Sequence, residues 1–219
     1  MIGKRLFKHV LAAMCLALSA NCVADVTPPD VSNPVTAIWR VQRLPFTYHS
    51  NNVYYSCDGL RDKIAAILKA VGARKSIDVD LRCRSGAFMN GASTVITLAS
   101  PIEATPENVT AATTYSPEAQ LAARLNGRQL PTANDVERFD AEWRPVTLHR
   151  TRGLRLDGGD CELLHGLAKQ IFPHISVRII KQGVGCNRGG TVSSFRPKME
   201  VAALMPSPVV PLAFAPAAR

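Results

Sequence analysis

The sequence repeats once at an offset of 104 positions, and this repeat limits the folds that the chain can adopt. Trp39-Arg40 recurs as Trp143-Arg144, and the chain has no other tryptophan. The same offset relates Ser56 to Asp160, Cys57 to Cys161, Asp58 to Glu162, Leu60 to Leu164 and Ile67 to Ile171. Agreement at several positions indicates two diverged copies of one structural unit. The alternative is two unrelated βα units that share common features.

The first copy, residues 35–101, predicts the order strand, helix, strand, strand. Ser56 is a suitable N-cap, and Asp58 lies in the first turn, where the helix dipole favours an anion. Gly72 is a typical residue after the end of a helix. Runs rich in β-branched and aromatic residues predict strands over 37–48, 76–82 and 94–98. The apolar residues on one face of the helix are Leu60, Ile64, Ile67, Leu68 and Val71.

The second copy, residues 135–205, predicts the same order of elements. Asp160 is expected to cap the helix, and Glu162 to lie in its first turn. Pro173 cannot continue the helix and is expected to end it. The predicted strands cover 146–156, 175–179 and 192–204, with a glycine-rich loop over 183–190. The buried stripe of the helix is formed by Leu164, Leu167, Ala168 and Ile171.

These patterns predict an α+β fold made of two pseudo-repeated β-α-β-β units. Each unit is expected to have one helix packed on a small sheet and one disulfide. The two units could join into one continuous sheet or form two small domains, and the sequence does not choose between these arrangements.

Three segments after residue 24 lie outside the two units. They are a flexible leader (25–34), a connector (102–134) and a Pro/Ala-rich tail (206–219). The connector is expected to contain a helix with Ser116 as N-cap, Pro117 at its first position and Gly127 after its end. Asn134 and Glu137 indicate a further short turn of helix before Trp143.

Residues 1–24 have the features of a signal peptide. A basic start is followed by an apolar run of 11 residues at 10–20, which is too short to span a bilayer as a helix. Ala24 ends a motif that favours cleavage. The alternatives are an uncleaved anchor, which the short run disfavours, and a lipoprotein, which Asn21 before Cys22 disfavours. We therefore expect a periplasmic or secreted protein with no transmembrane segment in the mature chain, which has 23 basic and 17 acidic residues and a formal charge of +6.

The mature chain keeps four cysteines: Cys57, Cys83, Cys161 and Cys186. An even number in an exported chain favours disulfides. The repeat favours Cys57–Cys83 and Cys161–Cys186 among the pairings, because each unit then joins the start of its helix to the end of a strand. Closing a loop of about 25 residues stabilises a fold by about 3 kcal/mol on the loop-entropy model. The alternative is thiol redox chemistry at Cys57 or Cys161, since a cysteine at a helix N-terminus can be reactive, although the chain has no C-x-x-C motif.

The sequence contains no recognised motif for catalysis, metal binding or cofactor binding. It lacks the G-x-S-x-G, P-loop and G-x-G-x-x-G patterns, and its histidines do not have metal-ligand spacing. The acidic stretch 157–162 could hold a cation, but a turn followed by a helix cap explains it better. We therefore expect no metal and no cofactor.

Basic residues are concentrated in the first predicted strand of the second copy. They form a candidate anion-binding set of Arg144, Arg150, Arg152 and Arg155. The partner would be an anionic envelope component or a protein, and ordinary surface solubilisation is the alternative explanation. The leading functional hypothesis is a non-catalytic binding or interaction module. The alternatives are a periplasmic enzyme with an unrecognised site, a thiol redox protein using Cys57 or Cys161, and a secreted effector.

Overall fold

The computed structural model of the protein describes seven stretches of the chain. They are residues 33–50, 53–74, 76–81, 88–149, 153–154, 156–182 and 198–208. The predicted signal peptide, most of the leader, the glycine-rich loop and the tail from residue 209 lie outside the described residues. The same is true of Cys83, Cys186, Arg150, Arg152 and Arg155.

Within these ranges the chain forms eight strands and four α-helices. The strands are β1 (Val35–His49), β2 (Tyr55–Ser56), β3 (Asp78–Asp80), β4 (Phe88–Met89), β5 (Gly91–Glu103), β6 (Arg138–Leu148), β7 (Val177–Gln182) and β8 (Met199–Pro206). The helices are α1 (Cys57–Ala70), α2 (Pro106–Ala112), α3 (Pro117–Leu125) and α4 (Cys161–Gln170). The predicted α+β class is confirmed.

Six of the strands form one antiparallel sheet in the order β3-β5-β1-β6-β8-β7. In each half of the chain, the first strand pairs with the last, and the last pairs with the strand that follows the helix. Of the two arrangements that the sequence leaves open, the structure has the continuous sheet, because β1 and β6 pair and join the two halves. At this junction Thr36 lies opposite Asp140, and these two positions are related by the repeat offset. β2 and β4 form a separate two-stranded ladder.

The helices α1 and α4 pack on one face of the sheet and share a single hydrophobic core. Helix α4 lies against β1 of the other half, where Gly166 faces the ring of Phe46. Helix α1 likewise contacts β6. The halves therefore interlock and are not separable domains. The largest fully buried side chains include Phe46, Leu60, Ile64, Ile67, Leu148, Leu163 and Phe172.

Local signals account for α1 and α3. The Ser56 hydroxyl accepts a hydrogen bond from the Gly59 amide at 3.1 Å, as expected of an N-cap. Gly72 follows α1 with a φ of 95°, a conformation that favours glycine, and a Cβ there would lie 2.8 Å from the Leu204 carbonyl oxygen. The Ser116 hydroxyl caps α3 in the same way as Ser56 caps α1. Both predicted helices are therefore confirmed.

Several predicted boundaries are wrong. The strand expected over 146–156 is β6, which begins at Arg138 and ends at Leu148, because its ladder with β1 and β8 fixes its position. The short helix expected at 134–137 is a turn in which the Asp135 carboxylate accepts hydrogen bonds from Thr132. Helix α2 was not predicted. Ile179 lies on the edge strand β7, next to a register shift in its pairing with β8, and is exposed.

Candidate functional site

The cysteines Cys57 and Cys161 are the first residues of α1 and α4, as the sequence predicts. Their predicted partners lie outside the described residues, so the pairing within each unit stays a prediction.

Asp160 has a role that sequence reasoning missed. Its side chain makes no cap hydrogen bond to α4, so the prediction that Asp160 caps its helix as Ser56 caps α1 is wrong. It is only 2% exposed, and it accepts hydrogen bonds from the Tyr55 hydroxyl, from Lys63 Nζ at 2.8 Å and from the Asp157 amide at 2.7 Å. Tyr55 and Lys63 belong to the first half of the chain, so this buried carboxylate links the two halves.

Two tyrosines complete the polar cluster around Asp160. The rings of Tyr48 and Tyr55 meet edge to face at 5.6 Å. Burial, and then the hydrogen bond to the Asp160 carboxylate, raise the pKa of Tyr55 well above its usual range. Burial also raises the pKa of Tyr48, although the neighbouring Ser50 side chain opposes this shift. Both phenols therefore stay protonated at ordinary pH, so Tyr55 acts as a hydrogen-bond donor and not as a base.

Of the four arginines in the predicted anion-binding set, only Arg144 lies within the described residues. Its guanidinium pairs with the Glu142 carboxylate two residues earlier on β6. The local charge of Arg144 is therefore already compensated, and anion binding by the other three arginines stays a prediction. The described residues contain no group of three or more His, Cys, Asp or Glu side chains placed to hold a metal ion. No helix in the described part of the chain has the length and apolar character that crossing a membrane requires.

The two tryptophans have matching surroundings on the sheet face opposite α1 and α4. The Arg74 guanidinium lies over Trp39 at 4.6 Å, and that of Arg178 lies over Trp143 at 4.2 Å. Both pairs are related by the offset of 104 positions. Trp39 also stacks on Phe139 at 4.8 Å.

Among the described residues, a gap between β1 and β6 leaves part of a strand edge without a partner strand in the middle of the sheet. β1 pairs with β5 along most of its length but with β6 only over 35–38. Towards the other end of β1, the Gln170 side chain takes the place of a partner strand. Its amide oxygen accepts from the Thr47 amide at 3.0 Å, and its amide nitrogen donates to the Thr47 carbonyl at 2.9 Å.

The alternation of an antiparallel ladder determines which backbone groups face this gap. The Thr36 carbonyl accepts from the Ala104 amide on the β5 side, whereas the backbone of Thr47 faces Gln170 on the opposite side. Odd-numbered residues of β1 therefore direct their N–H and C=O groups away from β5. Between the two closures these residues are Trp39, Val41, Arg43 and Pro45, of which Pro45 has no N–H. We call residues 39–43 the open edge of β1.

A cleft of about 720 Å³ runs beside the open edge. Its floor is β1 from residue 39 to 44, and its walls come from the end of α2, from Tyr115, from residues around Glu137 and from His174. Ligand pockets are commonly about 300–1,000 Å³, so the cleft has a suitable size for a bound molecule. Val41, in the middle of the open edge, is 71% exposed. No sequence motif marks this cleft, since it depends on where β6 stops pairing with β1.

The second half of the chain has the corresponding strand edge on β6, but a proline lies at its centre. The Asp140 carbonyl accepts from the Ser207 amide beyond the end of β8, so odd-numbered residues of β6 face away from β8. The position equivalent to Val41 is Pro145, which cannot donate a hydrogen bond.

Comparison with protein-family models, with curated proteins and with solved structures finds no match for this chain.

Proposed function

We propose that this protein is an exported, disulfide-stabilised binding module without catalysis of its own, and that its ligand binds in the cleft beside the open edge of β1. The cleft is the observation that carries this proposal. It combines an exposed stretch of central strand with aromatic, apolar and charged side chains. Binding sites of this kind are concave and largely preformed.

The proposal includes two diverged copies of one β-α-β-β unit, each held by its own disulfide. The matching strand order, the register at Thr36 and Asp140, and the two arginine–tryptophan pairs support this duplication. The positions of Cys57 and Cys161 at equivalent helix starts support the pairings Cys57–Cys83 and Cys161–Cys186. The predicted signal peptide supports export and a periplasmic or secreted location.

A substitution that fills the cleft tests the proposal. Ala111 is exposed and lines the cleft, so Ala111→Trp should obstruct it without disturbing the core. Ala122→Trp on α3 is the matched control, because it adds the same side chain at an exposed position outside the cleft lining.

The probe is a phage-displayed library of random peptides, panned against the full exported chain. We expect enriched peptides to bind Ala111→Trp at least about tenfold more weakly than wild type, equivalent to about 1.4 kcal/mol, and to bind Ala122→Trp normally. Enriched peptides that bind all three proteins equally would show that the cleft is not the binding site.

A further inference from the structure

We infer that the ligand of the cleft is an extended acidic peptide that adds to the sheet as a strand along the open edge of β1. This inference rests on the proposed function and specifies its partner. An extended peptide can bind an unpaired strand through main-chain hydrogen bonds, while adjacent pockets select its side chains.

The backbone of the open edge has the geometry that strand addition needs. Trp39, Val41 and Arg43 direct N–H and C=O groups into the gap at every second residue, as a β-ladder requires. No hydrogen bond to these groups from the side of the gap is found within the described part of the chain. The ladder with β6 closes one end of the edge, and the Thr47–Gln170 pair closes the other. The bound segment is therefore short.

The charges of the cleft favour an acidic peptide. Both Arg40 and Arg43 line the cleft, and neither has an ion-pair partner among the described residues. Of the acids of the cleft, Glu137 pairs with Arg74 at 3.0 Å, whereas Asp135 accepts from Thr132 and keeps its negative charge. Arg40, Arg43 and Arg74 therefore outnumber the two acids by one. Carboxylates on the peptide would compensate the two remaining guanidinium groups.

The chain itself indicates how to block the edge. Val41→Pro removes the central N–H donor and introduces the residue that the second half carries at the equivalent position, Pro145. The Val41 N–H does not serve the ladder with β5, so this ladder should stay intact. Val41→Ala is the matched control, because it shortens the side chain and keeps the N–H.

The experiment measures the dissociation constant of the capped peptide acetyl-TVEVEVET-amide by the tryptophan fluorescence of the full chain, since Trp39, one of its two tryptophans, lines the cleft. We expect Val41→Pro to weaken binding by about tenfold and Val41→Ala to change it by less than about threefold. The lysine analogue acetyl-TVKVKVKT-amide should bind wild type at least about tenfold more weakly. Arg43→Gln should reduce this preference for the acidic peptide by about threefold.

A second measurement does not depend on the folding of a variant. Methylating the backbone nitrogens of alternate residues of the acidic peptide removes its donors, and binding to wild type should fall by more than about tenfold in one of the two alternation registers. If neither methylated peptide binds more weakly, or if wild type does not bind the acidic peptide at all, strand addition is overturned. Equal binding of the lysine analogue would overturn the acidic specificity. Panned peptides that no longer bind Ala111→Trp but still bind Val41→Pro would support the proposed binding module and refute only strand addition as its mode of binding.

Discussion

Replacing Asp160 with alanine should lower the free energy of unfolding by about 3–5 kcal/mol, because it leaves buried polar groups without their partner. The Asp160 side chain is 3% exposed and faces Lys63 Nζ at 2.8 Å, while Lys63 is 21% exposed. The substitution also removes the acceptors of the Tyr55 hydroxyl and the Asp157 amide. Since Tyr55 and Lys63 belong to the first half, the loss would weaken the contact between the two halves.

The same structure gives the expected coupling between Asp160 and Lys63. Lys63→Met should cost less than Asp160→Ala, because solvent reaches Lys63 and the carboxylate keeps the hydrogen bonds from Tyr55 and from the Asp157 amide. The double substitution should then cost about 1–3 kcal/mol less than the sum of the two single losses. The reason is that the second substitution removes one member of an ion pair that the first has already broken.

The assay is urea denaturation of the full chain with its disulfides intact, followed by tryptophan fluorescence and fitted for the free energy of unfolding. The control is Asp58→Ala, which removes a carboxylate that is 85% exposed and paired with Arg61. This exposed pair should contribute about 1 kcal/mol or less. A loss below about 1 kcal/mol for Asp160→Ala, or additive losses in the double variant, would refute the assignment of Asp160 as a buried link between the halves.

Two further predictions concern the tyrosine cluster and the disulfides. The free energy of unfolding should fall as pH rises above about 10, by up to about 1.4 kcal/mol per pH unit, because the raised pKa of folded Tyr55 makes the unfolded state lose its proton first. Urea denaturation at pH 8 and pH 10.5 checks this, and a fall that is no smaller in Tyr55→Phe would contradict it. A non-reducing peptide map of the exported protein, with free thiols labelled before digestion, should show a mature N-terminus at residue 25, no labelled thiol and two disulfides. A disulfide between the two halves would contradict the prediction that each unit has its own disulfide. The expected bridges are Cys57–Cys83 and Cys161–Cys186.

Much of the α+β fold can be predicted from the sequence because its signals are local. The cap at Ser56, the apolar stripe of α1 and the positive φ at Gly72 all lie within about 16 residues of one another. The same holds for Ser116 and α3. Such signals do not depend on contacts with distant residues. The positions of the helices are therefore predicted better than the pairing of β1 with β6 that joins the two halves.

The features that define the candidate sites depend instead on contacts between distant residues. Asp160 looks like a helix cap in sequence, but its partner Tyr55 is 105 residues away and Lys63 is 97 residues away. The open edge exists only because β1 and β6 overlap over 35–38, a register that no local pattern specifies. The beginning of β6 was missed for the same reason, since charged residues at its start are accommodated by pairing with β1.

The contrast between the two free strand edges argues for a function at only one of them. Unpaired edges invite uncontrolled pairing with other chains, and proteins block them with proline or with covering side chains. β6 carries Pro145 in the middle of its free edge, whereas β1 is closed at its far end by Pro45 and the Gln170 amide and retains donors at Trp39, Val41 and Arg43. If both halves derive from one unit, Pro145 indicates that the fold tolerates a proline at this position, whereas β1 has the N–H donor of Val41 there. An edge kept open beside a cleft is what a strand-binding site requires.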